Sequence, residues 1–132
     1  SQTVTSIDAF SFAKMIQLTY VSTINEGQNN AYEQMTEIAR KSGFEIEDRV
    51  TGKECLPDLN ADNITLDEFN VSTRVRNNEF PSFLQVKQKI DATQNLSSIQ
   101  SGIVLCTLRP TVYYGKDGIR NLLAKGTYVV KS

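Results

Sequence analysis

The chain contains no histidine among its 132 residues, and this absence limits the chemistry that its side chains can perform. Histidine is the commonest general base near neutral pH and the commonest metal ligand. Its absence excludes Ser-His-Asp and Cys-His nucleophile systems and most zinc sites. Carboxylates, tyrosines and lysines remain, but no spacing among them selects a catalytic set. We therefore expect a binding protein rather than an enzyme, without catalytic residues, metal or cofactor.

Acidic residues are concentrated between Glu45 and Glu68, where eight carboxylates accompany two basic residues. From Arg109 onward, five basic residues accompany one acidic residue, Asp117. Such a separation of charge can steer a charged partner toward one surface. The alternative is that the two segments lie close together and neutralise each other. The first interpretation predicts an acidic binding surface that contains Glu54, Asp58, Asp62, Asp67 and Glu68.

Part of the acidic segment, residues 58–69, has oxygen-bearing side chains at the spacing of a calcium loop. Asp58, Asn60 and Asp62 occupy alternate positions and an acidic residue follows later, as in loops that bind this ion. However, Glu68 comes one residue early, and Asn63 stands where such loops carry glycine. We interpret the segment as a solvated acidic loop that leads into a strand, and we predict no metal site.

Four basic residues are predicted to lie on one face of a β-hairpin that spans residues 64–90. Apolar and polar residues alternate in this stretch with the period of a strand. The predicted face carries the binding residues Arg74, Arg76, Lys87 and Lys89, which would suit phosphate groups. We do not expect nucleic acid, because the net charge is −1 and no aromatic platform accompanies these cations. Tyr114 is a further predicted binding residue, since tyrosines are favoured at interfaces.

The two cysteines, Cys55 and Cys106, are predicted to form a disulfide that closes a loop of about 50 residues. On the chain-entropy model, such a bond stabilises the fold by roughly 4 kcal/mol. The alternative is that Cys106 is a buried free thiol, because it ends an apolar run at residues 103–106. The disulfide, together with a first residue that is serine rather than methionine, leads us to expect a periplasmic or extracellular location.

Two helices are predicted before Gly43, over residues 6–25 and 29–42. Ser6 or Asp8 is available as N-cap of the first, and Gly43 ends the second. The second helix has a one-sided apolar stripe, whereas the first is apolar over much of its circumference. This width favours a helix that is covered by the sheet and the second helix. The alternative is a face that binds a partner.

After Gly43 the hydrophobic period becomes that of β-strands. The predicted strands are residues 44–50, the hairpin 64–90, a long strand 102–114 and a return strand 119–130, with a tight turn at 115–118. The predicted fold is a single α+β domain over residues 1–132, with two N-terminal helices packed on a curved antiparallel sheet of about five strands. Residues 1–5 are expected to be disordered or trimmed, and no apolar stretch is long enough to span a membrane.

These features suggest a non-catalytic protein-binding module, such as a toxin-neutralising (immunity-type) protein or a subunit of a surface assembly. The expected partner is another protein, and a homodimer through the first helix is an alternative. A curved sheet around a helix can also enclose a pocket. The second hypothesis is therefore a cone-shaped domain that binds a small ligand or acts as an isomerase.

Overall fold

The computed structural model describes residues 8–54, 61–72 and 79–132, which form helices and β-strands in an α+β arrangement. This confirms the predicted fold class. The helices are α1 (Ala9–Glu26), α2 (Asn30–Lys41), α3 (Leu66–Ser72) and α4 (Phe83–Thr93), with a 3₁₀ turn at Leu96–Ser98. The strands are β1 (Phe44–Glu47), β2 (Ala61–Thr65), β3 (Val104–Arg109), β4 (Thr111–Lys116), β5 (Ile119–Ala124) and β6 (Gly126–Val130).

The two predicted N-terminal helices are present, and local capping explains where the first begins and ends. The backbone N–H of Ser11 donates to Asp8 Oδ1 at 2.8 Å, which caps α1 and lowers the pKa of the Asp8 carboxyl. At the other end, Gly27 adopts a left-handed conformation with φ of 73°, and its N–H donates to the carbonyl of Thr23. The N-cap of α1 is therefore Asp8, one of the two predicted alternatives.

Residues 104–130, close to the C-terminal end of the sequence, form one long, bent β-hairpin. Its first arm consists of β3 and β4, which are separated at Pro110, and its second arm consists of β5 and β6, which are separated at Lys125. The arms pair antiparallel on both sides of this bend. At the tip, Asp117 and Gly118 both have positive φ, 56° and 76°, as a two-residue type I′ turn requires. The tight turn predicted at residues 115–118 is confirmed.

Each half of the bent hairpin binds a different third strand, which produces two three-stranded sheets rather than the predicted single five-stranded sheet. The orders are β1-β4-β5 and β2-β6-β3. The β2–β6 pair is parallel, from Ala61 opposite Gly126 to Thr65 opposite Val130, so the second sheet is mixed. The expectation of a wholly antiparallel sheet was wrong because the bend gives the two ends of the hairpin separate edges for pairing.

The hairpin predicted over residues 64–90 is also wrong, because the described part of this segment contains α3 and α4. Each helix begins at a residue that caps it: the Thr65 hydroxyl accepts from Glu68 N–H, and Ser82 Oγ accepts from Gln85 N–H. In α4, Val86 and Ile90 are fully buried and four residues apart, which is helical spacing. Lys87 and Lys89 are therefore helical and do not lie on a hairpin.

Two hydrophobic clusters form the core. The first lies between α1, α2 and the sheet β1-β4-β5, and it contains Ala13, Ile16, Tyr20, Tyr32, Ala39, Ile46, Val112 and Ala124. The second lies between α3, α4 and the sheet β2-β6-β3, and it contains Phe69, Phe80, Val86, Ile90, Leu105, Cys106, Leu108 and Val129. Ile24, near the end of α1, packs against both clusters and links them.

Candidate functional site

A polar cleft of about 230 Å³ lies between α1, α2, α4 and the chain that follows β1. Its lining combines two buried tyrosines, Tyr20 and Tyr32, with charged residues from different elements. The cations include Arg40 of α2 and Lys89 of α4, and the carboxylates include Asp48 after β1. No single stretch of sequence contains this set, because the fold assembles it from four elements. We call it the tyrosine–aspartate cleft.

The centre of the tyrosine–aspartate cleft is a hydrogen-bonded group of three side chains. The Tyr32 hydroxyl donates to Asp48 Oδ2 at 2.7 Å, and Arg40 Nη2 donates to Asp48 Oδ1 at 2.8 Å. The Asp48 side chain is only 9% exposed, so these charge-assisted bonds compensate for the burial of its carboxylate. The Tyr20 ring packs edge-on against Tyr32, with centroids 5.2 Å apart.

Burial keeps the two phenols of the cleft protonated. Loss of solvation raises the pKa of Tyr20 and of Tyr32 well above the usual value, and the negative charge of Asp48 raises that of Tyr32 further. A phenol in this state donates hydrogen bonds and does not serve as a base near neutral pH. The charged lining comprises three cations and two carboxylates, and Arg49 and Lys89 form no ion pair with a described residue. The cleft is therefore suited to holding a small anion.

A second feature is the outer edge of β5 in the sheet β1-β4-β5, with which no other strand of the described residues pairs. Ile119 and Leu122 of this strand are 63% and 38% exposed. On α1, Phe10 and Leu18 are 63% and 57% exposed, although Val21 is buried. The wide apolar surface predicted for the first helix is therefore covered only in part. Edge strands with exposed apolar side chains are templates for pairing with another chain.

The predicted acidic residues do not all remain free to meet a partner. Asp62 Oδ1 lies 3.0 Å from Lys125 Nζ. Glu68 Oε1 accepts from the Thr65 hydroxyl at 3.0 Å at the start of α3, so this carboxylate caps a helix. Glu54 and Asp67 are exposed, and Asp58 lies outside the described residues.

The acidic and basic segments partly neutralise each other, as the alternative interpretation of the charge pattern predicted. Arg120 contacts two carboxylates of β1, Glu45 at 3.1 Å and Glu47 at 2.6 Å, and its guanidinium stacks over the Tyr113 ring. Together with the Lys125–Asp62 pair, these contacts engage two of the five basic residues found from Arg109 onward, Arg120 and Lys125. Because these pairs are exposed, we assign them no large share of the stability.

The predicted basic residues are also separated by the fold. Lys87 pairs with Asp91 along α4 at 3.1 Å, whereas Lys89 lines the tyrosine–aspartate cleft. Arg74 and Arg76 lie outside the described residues. Tyr114 is half-buried against the Phe44 ring, with centroids 5.1 Å apart, rather than presented to solvent.

The predicted disulfide receives no support from the described residues. Cys106 carries a free, buried thiol in the second cluster, and burial raises its pKa. Cys55 lies outside the described residues. The thiol alternative for Cys106 agrees with its position among apolar side chains.

The residues at the centre of the cleft were not predicted. Tyr32 and Arg40 lie eight residues apart on α2, and Asp48 follows a strand. Each residue type is common on surfaces, and their spacing matches no motif. Only the turn from α2 into β1 brings them together, so the sequence carried no local signal for them.

Comparison with known proteins gives no relative: no family model matches the chain, and neither a curated protein nor a solved structure matches it significantly. None of the described helices is long and apolar enough to cross a membrane.

Proposed function

We propose that the protein is a non-catalytic protein-binding module of the immunity or surface-assembly type, acting in the periplasm or outside the cell. The observation that carries this proposal is the combination of a β5 edge with which no other described strand pairs and exposed apolar side chains on β5 and α1. Large apolar residues rimmed by polar ones are characteristic of surfaces that bind other proteins. The absence of histidine and the protonated phenols of the cleft favour binding over catalysis.

The test is affinity capture from an extract of the source organism, with the retained proteins identified by mass spectrometry. We expect one stoichiometric protein, and we expect Phe10→Asp with Leu18→Asp to reduce its retention at least about tenfold. Ile38→Asp is the matched control, because Ile38 is a similarly exposed apolar residue on α2. Equal retention by all three proteins would show that α1 is not the binding surface.

The predicted acidic surface has its own variant in the same experiment. Glu54→Lys tests the charge of this surface most directly, because Glu54 is exposed. Reversing the charge of Asp62 would also break its ion pair with Lys125. If the partner recognises this surface by charge, the Glu54→Lys protein should retain less of it than the wild type does. The difference in retention should be larger at low salt.

The second candidate function is the binding of a small ligand, and the tyrosine–aspartate cleft is the observation that favours it. A neighbouring pocket of about 340 Å³, lined in part by Ile46, Val50, Val104 and Tyr128, offers a more apolar space. A thermal-shift screen with small carboxylates, phosphate and apolar compounds tests this function, since a ligand of the folded state raises Tm. If capture retains no protein and a compound raises Tm, this function replaces the first.

A further inference from the structure

The geometry of the hairpin identifies which backbone groups of β5 face away from the molecule. Next to a two-residue turn, the flanking pair exchanges both backbone hydrogen bonds, and hydrogen-bonded pairs then alternate with non-bonded pairs. The flanking pair here joins residues 116 and 119, and the next hydrogen-bonded pair joins 114 and 121. The N–H and C=O groups of Arg120 and Leu122 therefore point away from β4. No backbone hydrogen bond joins them to another described residue.

One flank of α1 stands above this outer edge of β5. On the opposite flank, Phe12 packs against Phe44 of β1, with ring centroids 5.0 Å apart. Since β1 and β5 are opposite edges of their sheet, the other flank faces the β5 side. At 100° per residue, that flank contains Phe10, Lys14 and Gln17, and Gln17 reaches the carbonyl of Lys125, which follows β5.

The sheet face beneath α1 also carries apolar side chains of β5. Tyr114 packs against Phe44 on the face that α1 covers, and its cross-strand neighbour Asn121 points to that same face. Because side chains alternate along a strand, Ile119 lies on this face too. Phe10 and Ile119, both 63% exposed, therefore lie on the α1 side of the outer β5 edge. We call the β5 edge, with Phe10, Lys14 and Ile119, the β5 groove.

We propose that the β5 groove accepts an extended segment of another protein, which adds to β5 as a fourth strand. This inference rests on the proposed protein-binding function and names the part of the partner that is recognised. Main-chain hydrogen bonds to Arg120 and Leu122 hold the segment, and its alternate side chains meet Phe10 and Ile119. The segment is therefore alternately apolar on the side that faces α1.

Charge specifies the segment further and distinguishes it from a second copy of the chain. Lys14 is exposed and forms no ion pair with a described residue, so an acidic side chain in the segment matches it. Arg120 already contacts Glu45 and Glu47, so the opposite face of the edge requires no charged partner. Two copies that paired through β5 about a two-fold axis would place both α1 flanks, each with its Lys14, on one face. The like charges disfavour that arrangement.

The experiment uses the full chain and a displayed library of random eight-residue peptides. The strongest binders are synthesised, their Kd values are measured, and backbone amide exchange is followed by NMR with and without peptide. We expect peptides with alternating apolar residues and at least one acidic residue. Binding should slow exchange at Arg120 and Leu122 about tenfold or more, and leave Asn121, which already pairs with Tyr114, unchanged.

Variants connect the binding to the β5 groove. Phe10→Lys and Ile119→Lys should each raise the Kd about tenfold or more, whereas Ile38→Lys, a matched exposed residue on α2, should leave it within about twofold. Lys14→Glu should remove the selection for acidic residues. Because these side chains are exposed, the variants retain their fold, and an unchanged Tm verifies this.

The outcomes separate this inference from the proposed function. Peptides that bind without protecting Arg120 and Leu122 would overturn the β5 groove and leave the protein-binding function intact. The absence of any binder at about 1 mM peptide would also overturn the groove. The protein-binding function would then depend on the capture experiment alone, which detects a partner at any surface.

Discussion

Gly126 begins β6 directly against Arg109 and Thr111 of the other arm of the bent hairpin, and a side chain at this position would overlap them. A Cβ atom at this position would lie 2.5 Å from the backbone nitrogen of Thr111 and 2.9 Å from the carbonyl oxygen of Arg109. We predict that Gly126→Ala lowers the free energy of unfolding by about 2–3 kcal/mol, because the backbone must shift. Gly115→Ala is the control, since its Cβ would meet atoms at 3.8 and 3.9 Å. Urea unfolding measures the change in the free energy of unfolding for both variants. Equal changes would show that the close backbone contacts at Gly126 do not exclude a larger residue.

The buried tyrosines give the stability a pH dependence in alkaline solution. An unfolded tyrosine loses its proton near pH 10, whereas Tyr32 keeps its proton at higher pH because its pKa is raised in the folded state. The stabilisation of the folded state by the protonated Tyr32 is therefore complete below about pH 10, and it declines as the pH rises above that value. We predict that the free energy of unfolding falls more steeply for the wild type than for Tyr32→Phe, by about 1.4 kcal/mol per pH unit. Parallel curves between about pH 10 and 11 would contradict the raised pKa of Tyr32.

At the scale of the elements, a single glutamine on α1 supports the bend of the hairpin. Gln17 is 3% exposed, and its Nε2 donates to the carbonyls of Pro110 at 2.9 Å and Lys125 at 3.0 Å. These two residues separate the halves of the arms, where the sheet hydrogen bonds are interrupted. Gln17 therefore satisfies acceptors that the bend removes from the ladder.

We predict that Gln17→Leu lowers the free energy of unfolding by about 2–4 kcal/mol, because a buried carbonyl and a partly buried one lose their donor. Gln88→Leu on the exposed face of α4 is the control and should change stability by less than about 0.5 kcal/mol. Chemical denaturation followed by circular dichroism measures both. If Gln17→Leu loses no more stability than Gln88→Leu, then water or another group replaces the amide of Gln17 as donor to the two carbonyls.

The elements also show where a sequence is sufficient to predict structure and where it is not. Helix α1 follows from its capping residue, helix α2 from its one-sided apolar period, and the turn at residues 117 and 118 from an Asp-Gly pair, and all were predicted. Helices α3 and α4 also carry local signals, in Thr65 with Glu68 and in Ser82 with Gln85, but the alternation of apolar and polar residues around them predicts strands instead. The parallel β2–β6 pair joins residues more than sixty positions apart and has no local signal.

At the scale of the whole molecule, long-range contacts decide which predicted residues can act together. The acidic and basic segments were predicted from composition, but the fold pairs Arg120 with β1 and Lys125 with Asp62. The tyrosine–aspartate cleft was missed because its charged residues come from separate elements. A candidate site made of common residue types becomes visible only when the chain path is known.

The two hydrophobic clusters are joined by the long hairpin and by Ile24, so we predict that they unfold together as the single domain inferred from the sequence. Ile90→Ala in the second cluster should lower the free energy of unfolding by about 2–5 kcal/mol. Four of the five tyrosines, at positions 20, 32, 113 and 114, lie in α1, α2 and β4, so tyrosine fluorescence reports chiefly on the half of the molecule that contains the first cluster. Far-UV circular dichroism reports on all helices. Both signals should shift to lower urea by the same amount, as they should for Val112→Ala in the first cluster. A circular dichroism transition that precedes the fluorescence transition would mean that the second cluster unfolds independently, and that the hairpin does not couple its two ends.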